Sequence, residues 1–274
     1  MTHTHKEKLE QPTVLNIKEI RDEANNFRTF VFDHKLDSKP GQFVMVWLPG
    51  LDMKPIAVAK DNDGEVEIAV LKTGGAWTTA MFELKEGDKV GLQGPHGNGV
   101  FPLEGKKKIA MVGGGSGVPP LRYAAKKASE MGIDVDLIIG ARSADLIAYE
   151  NDFENEDKVN IHLCTNDGSK GKEGFTTQVL NELMESNEYD AIFACGPEIM
   201  MQKIMEIADE KNVPCFLSLE RYMKCGFGIC GQCAVDGIGI CVCKEGPIFS
   251  TEIVKKMTDF GKYHRDRRGD KKEI

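Results

Sequence analysis

Five cysteines lie close together in the last fifth of the chain, in a spacing that suits an iron–sulfur cluster. Cys225, Cys230 and Cys233 form the pattern C-x4-C-x2-C, and a further cysteine follows after seven residues (Cys241) or nine (Cys243). This order is the plant-type spacing for a [2Fe-2S] centre, in which four thiolates hold two irons. The spacing alone leaves the fourth ligand open between Cys241 and Cys243.

Glycines alternate with these cysteines, at Gly226, Gly228 and Gly231. They let the backbone of a loop approach a cluster without Cβ clashes. The alternative is a structural zinc site, but such sites usually use two C-x2-C pairs, and the segment has one. A disulfide framework is disfavoured because the chain is predicted to be cytosolic, where thiols stay reduced.

Length and charge narrow the class of protein. The chain has 274 residues, 41% of them hydrophobic, which is enough for two compact domains and a small appendage. A net charge of −8 argues against nucleic acid as a partner. Apolar runs such as 109–112 are far shorter than the roughly 18 residues of a membrane span. We therefore expect a cytoplasmic protein without a membrane partner, with a loosely held start (1–10) and a solvated basic end (262–272).

The N-terminal third is predicted to be an antiparallel barrel over residues 12–104. Short runs that favour strands alternate with turn residues, a pattern typical of small barrels. The predicted strands are 13–20, 27–33, 42–48, 56–60, 65–71 and 89–93. One helix, 77–84, follows Gly74 and Gly75, so its first N–H groups and Thr78 could face a phosphate.

After residue 104 strands alternate with helices, which indicates a doubly wound parallel sheet over residues 105–218. Strands are predicted at 108–112, 135–139, 159–163, 191–194 and 215–219, and helices at 119–131, 175–186 and 198–211. The run Gly113-Gly114-Gly115-Ser116-Gly117 leaves the first strand and enters the first helix, where such sheets hold a nucleotide pyrophosphate. The run is not the Rossmann fingerprint, because Val118 stands where G-x-G-x-x-G needs its last glycine.

The order of barrel, nucleotide domain and cysteine loop resembles the ferredoxin–NADP⁺ reductase superfamily. Within it, Leu219-Glu220-Arg221-Tyr222-Met223-Lys224-Cys225-Gly226 and Val242-Cys243-Lys244-Glu245-Gly246-Pro247-Ile248-Phe249 resemble the electron-transfer subunits of class 1B dihydroorotate dehydrogenases. The likeness covers about residues 12–250. Its C-terminal part is shared with the gamma subunit of sulfhydrogenases and the B subunit of anaerobic sulfite reductases.

The resemblance implies that the barrel binds FAD and the second domain binds NAD(H). The family's flavin motif, Arg-Pro-Phe-Ser, corresponds to Lys54-Pro55-Ile56-Ala57, which departs from it at three of four positions. Lys54 keeps a cation for the pyrophosphate but lacks the bidentate fork of Arg. Further flavin contacts are expected from Gly74, Gly75 and Thr78.

The nicotinamide side follows from the same resemblance. Its expected residues, none of which separates NAD from NADP, are Gly114, Gly115, Ser116, Gly117, Pro120, Cys195, Gly196 and Pro197. The resemblance also favours Cys243 as the fourth cluster ligand, because the family's fourth cysteine precedes Lys-Glu-Gly-Pro. The predicted cluster subdomain is 219–250, followed by a tail, 251–274.

The resemblance implies an oxidoreductase subunit of pyrimidine biosynthesis. Electrons would pass from the FMN of a dihydroorotate dehydrogenase catalytic subunit through [2Fe-2S] and FAD to NAD⁺, in a heterotetramer with two copies of each subunit. We assign no general acid or base to this chain. One alternative is the same module in a sulfhydrogenase or an anaerobic sulfite reductase, and another is a non-catalytic binding module stapled by zinc.

Overall fold

A computed structural model describes residues 11–153 and 156–274. The predicted loosely held start, residues 1–10, lies outside this range. Most of the described chain folds into two seven-stranded sheets, and a two-stranded hairpin follows near the C-terminus.

The first sheet is antiparallel throughout and forms the predicted barrel domain. Its strands, in the order β1-β7-β4-β5-β6-β3-β2, are β1 Thr13–Asn16, β2 Glu19–Ala24, β3 Phe27–Asp33, β4 Phe43–Leu48, β5 Asp52–Asn62, β6 Glu65–Leu71 and β7 Lys89–His96. A short helix, α1 (Ala76–Glu83), joins β6 to β7. The predicted strand at 13–20 is two strands, which lie at opposite edges of the sheet. Phe30, Ile68 and Val46 pack inside as part of an apolar core.

The second sheet is the predicted doubly wound α/β sheet. Its strands, in the order β11-β10-β9-β8-β12-β13-β14, are β8 Lys108–Gly114, β9 Asp134–Ala141, β10 Val159–Thr165, β11 Lys172–Glu173, β12 Ala191–Cys195, β13 Cys215–Ser218 and β14 Ile248–Ser250. All neighbours are parallel except β13 and β14. Helix α2 (Val118–Glu130) packs on one face, and α3 (Thr176–Ser186) and α4 (Glu198–Glu210) pack on the other.

Helix α2 also fixes the barrel against the second sheet. The Arg122 guanidinium lies 2.7 Å from a Glu67 carboxylate oxygen of β6, and both side chains are almost fully buried. Tyr123 donates a hydrogen bond of 2.9 Å to the Ser38 carbonyl oxygen. A buried ion pair contributes little net stability, but loss of one partner costs several kcal/mol, so the pair holds a defined domain orientation.

The C-terminal segment contacts both domains. Strand β14 extends the second sheet, while the N–H groups of Asn98 and Gly99 donate to the carbonyl oxygens of Lys244 and Gly246 at 3.0 and 2.9 Å. The short helices α5 (Val242–Glu245) and α6 (Thr251–Val254) flank β14. The predicted solvated end instead folds into a hairpin, β15 (Tyr263–Arg265) and β16 (Lys271–Glu273), although its lysine side chains are exposed.

Within residues 11–153 and 156–274, no helix combines the length and the apolar character that a membrane crossing requires.

Candidate functional site

A cleft of about 730 Å³ lies where the barrel, the carboxyl edge of the second sheet and residues 219–223 meet. This volume is in the range of cofactor sites. Its wall is built from β5 and the turn before α1 on the barrel side, and from the loops after β8, β12 and β13 on the other. Three parts of the chain that are distant in sequence therefore share one site.

Nine of the predicted cofactor residues line this cleft: Lys54, Pro55, Ile56, Ala57, Gly75, Thr78, Ser116, Pro120 and Cys195. Six others lie beside it without forming its wall: Gly74, Gly114, Gly115, Gly117, Gly196 and Pro197. The structure thus brings the flavin-side and nicotinamide-side predictions together in one place.

The barrel contributes an open turn before α1. Gly74 adopts a left-handed conformation (φ +83°), and a Cβ built on it would meet no atom within 4 Å. The Thr78 hydroxyl donates to the Gly75 carbonyl oxygen at 3.1 Å and accepts from the Thr73 N–H at 3.3 Å. The hydroxyl proton of Thr78 is therefore already engaged in a hydrogen bond within the turn. The backbone N–H groups at the start of α1 are the donors that remain for an anion.

Lys54 occupies the position of the missing arginine and is partly neutralised. Its ammonium nitrogen lies 2.6 Å from an Asp52 carboxylate oxygen and 4.8 Å from the centre of the Tyr222 ring. Burial opposes ionisation of Asp52, but hydrogen bonds from Lys54 and the Met53 N–H outweigh it, so the pKa of Asp52 is lowered. Lys54 thus carries its charge into the cleft with a carboxylate beside it.

A buried donor supports a polar ligand in the barrel half of the cleft. The indole nitrogen of Trp77, which lines the cleft, is buried and has no hydrogen-bond partner among the described residues. A buried N–H without an acceptor is costly unless a bound group or water accepts from it. The apolar walls at Ile56 and Ala57 complete a surface on which a flat ring could pack. These residues fit FAD.

On the opposite side, two loops pack so closely that glycine is required. A Cβ on Gly117 would lie 2.1 Å from the Cys195 carbonyl oxygen, and one on Gly114 would lie 2.9 Å from the Met200 sulfur. Gly117 lies against the end of β12 and Gly114 lies against the start of α4, so contact with protein explains both glycines. Gly115 and Ser116 are exposed and are the part of the loop open to a ligand.

Cys195 presents a neutral thiol at the cleft. Burial raises its pKa to about 12, and the nearby charge of Glu220 adds to the effect, while a hydrogen bond with Ser218 opposes it. The thiol therefore stays protonated at neutral pH. In the cleft wall it is therefore a small, uncharged group and not a nucleophile.

Two glycines of the cysteine loop pack closely against neighbouring side chains, one on the barrel and one within the same segment. Gly226 and Gly228 have φ values of +83° and +85°. A Cβ on Gly226 would lie 2.6 Å from the Met45 side chain, and one on Gly228 would lie 2.8 Å from that of Lys244. Both the backbone conformation and the close contact with neighbouring side chains favour glycine at these positions. The predicted role of these glycines in the approach to a cluster stays a prediction.

Backbone N–H groups converge on the cysteine sulfurs. The N–H of Gly228 donates to the Cys243 sulfur at 3.2 Å, and the N–H of Cys243 donates to the Cys233 sulfur at 3.4 Å. Burial opposes ionisation of Cys225, but N–H groups of Cys230 and nearby residues outweigh it and lower its pKa to about 7. A shell of N–H donors is what thiolate ligands of an iron–sulfur cluster need.

The thiols of the cysteine loop lie close to one another. Cys225 contacts Cys230, and Cys233 contacts both Cys241 and Cys243. A two-iron cluster divides four thiolates between two irons, so it needs several cysteines close together in one loop, as these are.

Three family models match successive parts of the chain. An oxidoreductase FAD-binding domain matches residues 14–101, and an oxidoreductase NAD-binding domain matches residues 111–206. The iron-sulfur cluster binding domain of dihydroorotate dehydrogenase B matches residues 220–255.

Full-length relatives decide the family. A protein of Methanocaldococcus jannaschii is 46% identical over 96% of this chain and 99% of its own length. One of Methanothermobacter thermautotrophicus is 43% identical over 94% of this chain and 96% of its own. Both are named "Probable dihydroorotate dehydrogenase B (NAD(+)), electron transfer subunit". The chain belongs to this family. It is an iron–sulfur flavoprotein oxidoreductase subunit with FAD and NAD(H) as its nucleotide cofactors.

Solved structures share the fold of this chain. A chain from a study of flavin-based electron bifurcation by an NADH-dependent reduced ferredoxin-NADP oxidoreductase superposes with a TM-score of 0.78. It is 28% identical and covers 92% of this chain and 95% of its own. Phthalate dioxygenase reductase shares the fold at a TM-score of 0.60 and 19% identity, with 72% of this chain and 64% of that one covered.

Sequence reasoning missed several residues of this family member's cleft. Asp52 lies two positions before Lys54, and no motif marks it as the ion-pair partner of that lysine. Residues 219–223 carry part of the resemblance to the family, but no pattern in them predicts that they line the cleft. Arg267 stands in the tail, outside every motif, and no sequence signal pointed to it.

Proposed function

We propose that this chain carries electrons between a dihydroorotate dehydrogenase catalytic subunit and NAD⁺ in pyrimidine biosynthesis. One observation carries the proposal: a single cleft is lined by the FAD-binding domain, by the NAD-binding domain and by the segment that leads into the cysteine loop. Electron transfer requires that the cofactors lie close together. The name of the relatives, dihydroorotate dehydrogenase B (NAD(+)), indicates that electrons flow from dihydroorotate to NAD⁺.

In the proposed site, FAD lies along β5, with its diphosphate near the turn before α1. Lys54, Gly75 and Thr78 form the flavin side, with Gly74 shaping the turn. Ser116, Pro120 and Cys195 bound the nicotinamide side, while Gly114, Gly115, Gly117, Gly196 and Pro197 set the loops behind them. Bound FAD supplies two-electron exchange with nicotinamide and one-electron exchange with the cluster. The residues of this chain bind and orient these cofactors, and they exclude water from the cleft.

The proposed ligands of one [2Fe-2S] cluster are Cys225, Cys230, Cys233 and Cys243. The sulfur of Cys243 accepts a backbone N–H, and Cys243 is buried. Cys241 is only half-buried, and its own N–H donates to a Glu245 carboxylate oxygen at 2.9 Å. The Cys243→Ser variant should lose the visible absorption of the cluster, and Cys241→Ser should keep it. The reverse result would make Cys241 the fourth ligand.

The proposed partner is an FMN-containing dihydroorotate dehydrogenase subunit, in a cytoplasmic heterotetramer with two copies of each. The docking surface is the tip of the cysteine loop, where Cys230 is exposed and the Ile229 side chain is 73% exposed. An exposed apolar side chain beside a redox centre suits a contact that excludes water.

Reconstitution tests the function. Alone, this chain should oxidise NADH with artificial acceptors but leave dihydroorotate unchanged, because we assign it no base for that substrate. Addition of the separately purified FMN subunit from the same source should produce dihydroorotate-dependent reduction of NAD⁺. Binding to a hydrogenase or sulfite reductase subunit, with none to the dihydroorotate enzyme, would overturn the proposal and leave the cofactor sites intact.

A further inference from the structure

The C-terminal hairpin, β15 and β16, lies beyond residue 255, where the match to the iron–sulfur family model ends. It is nevertheless attached to the cysteine-loop segment. The Tyr263 hydroxyl donates to an Asp236 carboxylate oxygen at 2.6 Å, and the Arg265 guanidinium donates to the same oxygen at 2.8 Å. The Gln232 side chain, between two cluster cysteines, donates to the Asp266 carbonyl oxygen at 3.0 Å.

A buried ion-pair network holds the base of the hairpin. Arg221 pairs with Glu198 at the start of α4 and with Asp259, whose carboxylate oxygen lies 2.9 Å away. All three side chains are at most 6% exposed. Glu198 also accepts the Gly261 N–H at 2.6 Å. Removal of Arg221 would leave two buried carboxylates without their shared cation, so this base is fixed in place.

The tip of the hairpin is equally well defined. An Asp266 carboxylate oxygen accepts the N–H groups of Arg268 and Asp270 at 2.8 and 3.1 Å, and Arg265 donates to the Gly269 carbonyl oxygen at 3.0 Å. This turn places Arg267 on the wall of the cofactor cleft, together with Leu51, Asp52 and Lys54. The adjacent Arg268 is not part of that wall and pairs with Asp270 at 3.3 Å.

The charges at this end of the cleft do not balance. Asp52 is the carboxylate that pairs with Lys54, and it also lies within the electrostatic reach of Arg267. Lys54 and Arg267 are therefore two cations beside one carboxylate. The other charged residues of the cleft wall are Arg221, which is paired with Glu198 and Asp259, and Glu220, whose pKa is raised by burial. Arg267 is exposed, and its guanidinium makes no hydrogen bond to a protein acceptor within residues 11–153 and 156–274. A guanidinium in a cleft beside a lysine is suited to bidentate contact with phosphate oxygens.

We propose that Arg267 binds the diphosphate of FAD and supplies, from the C-terminal hairpin, the guanidinium fork that Lys54 cannot provide. This inference rests on the FAD site proposed above. FAD is favoured over NADH because Asp52, which lies within the electrostatic reach of Arg267, belongs to the barrel, whereas the nicotinamide loops lie on the other side of the cleft. Arg267 is a binding residue, and it takes no part in chemistry.

FAD titration of flavin-stripped protein that retains its cluster tests the proposal. Arg267→Gln should weaken FAD binding, followed by flavin fluorescence, by about tenfold, the effect of one charge-assisted phosphate contact. Arg267→Lys should recover part of the loss. The matched control, Arg268→Gln, changes a neighbouring arginine outside the cleft and should stay within about twofold of the wild type. The KM for NADH of FAD-saturated Arg267→Gln should be unchanged.

Two results would overturn the assignment of Arg267 while the FAD site stands. One is a wild-type FAD affinity together with a wild-type KM for NADH in Arg267→Gln. The other is a wild-type FAD affinity together with a raised KM for NADH, which would assign the arginine to the nicotinamide dinucleotide. Failure of the wild-type protein itself to bind FAD would instead defeat the proposed function. The cluster spectrum and the melting temperature of each variant show that the fold is kept.

Discussion

Two glycine-rich turns face each other across the cleft, and glycine serves a different purpose in each. In the loop after β8, a Cβ on Gly117 would lie 2.1 Å from the carbonyl oxygen of Cys195, the last residue of β12. In the turn before α1, a Cβ on Gly74 would meet nothing within 4 Å, and one on Gly75 would meet only threonine hydroxyls at 3.9 and 4.0 Å. The first turn is filled by protein, and the second is open to a ligand.

The comparison shows that a glycine near a nucleotide is not thereby a nucleotide-binding residue. Gly114 and Gly117 allow the loop after β8 to pack against β12 and α4, and in the proposed site they act on the ligand only by placing Gly115 and Ser116. Gly75 is in an extended conformation that any residue can adopt, so its lack of a side chain matters only for what occupies the cleft. Substitutions should therefore separate stability from binding.

The largest effect is expected at Gly117. The Gly117→Ala variant forces a methyl group into a backbone carbonyl, which should cost about 3 kcal/mol. The melting temperature should fall by about 6–12 °C. The control is Gly115→Ala in the same loop, where φ is +53° but space is open, so only the roughly 1 kcal/mol of conformational strain is expected. Equal melting temperatures for the two variants would refute the packing argument.

At Gly75 we expect a binding effect with little change in stability. The Gly75→Ala variant keeps an allowed backbone, so the flavin-free protein should unfold within about 0.5 kcal/mol of the wild type. The added methyl group narrows the approach to the N–H groups of α1, and FAD affinity should fall by about tenfold. Fluorescence titration and urea unfolding measure the two quantities. A destabilised apo-protein with normal FAD affinity would contradict this assignment.

Most of the fold was predictable because it depends on local periodicity. The strand at 27–33 and the helix at 176–186 were found within a residue, since their apolar spacing and flanking turns are clear. Strand β5 is longer than predicted and begins at Asp52, because its first residues pair with β4 from Leu48 onward. The flavin motif lies on this added part of the strand. The cysteine pattern predicted the iron–sulfur site, since ligand spacing is a local property.

The parts that were missed depend on partners distant in sequence. Arg221 and Asp259 are 38 residues apart, and the sequence around neither residue predicts a buried ion pair. The tail was predicted to be a solvated end because its composition is basic and polar, yet β15 and β16 are held by Asp236 and Gln232. The role of Gly117 as a packing residue required the position of Cys195, which only the folded sheet supplies.

The smallest expected effect is the pH dependence of stability that the buried Cys195 thiol produces. The pKa of Cys195 is raised from about 9 to about 12 by burial, so the folded state holds its proton more tightly than the unfolded state. The associated stability is present below pH 9 and is lost as the pH rises toward 12. Between pH 9 and 10 the wild type should lose about 1 kcal/mol more than Cys195→Ala. Parallel losses in urea unfolding would show that Cys195 is not buried in this way.

Anaerobic EPR after addition of NADH tests most directly whether the shared cleft places FAD between the nicotinamide and the cluster. In FAD-loaded protein, NADH should produce the signal of the reduced cluster. In flavin-stripped protein, NADH should produce none, while dithionite still reduces the cluster and shows that it is intact. Restored FAD should restore the NADH-dependent signal. Reduction of the cluster by NADH at the same rate without FAD would contradict the proposed path.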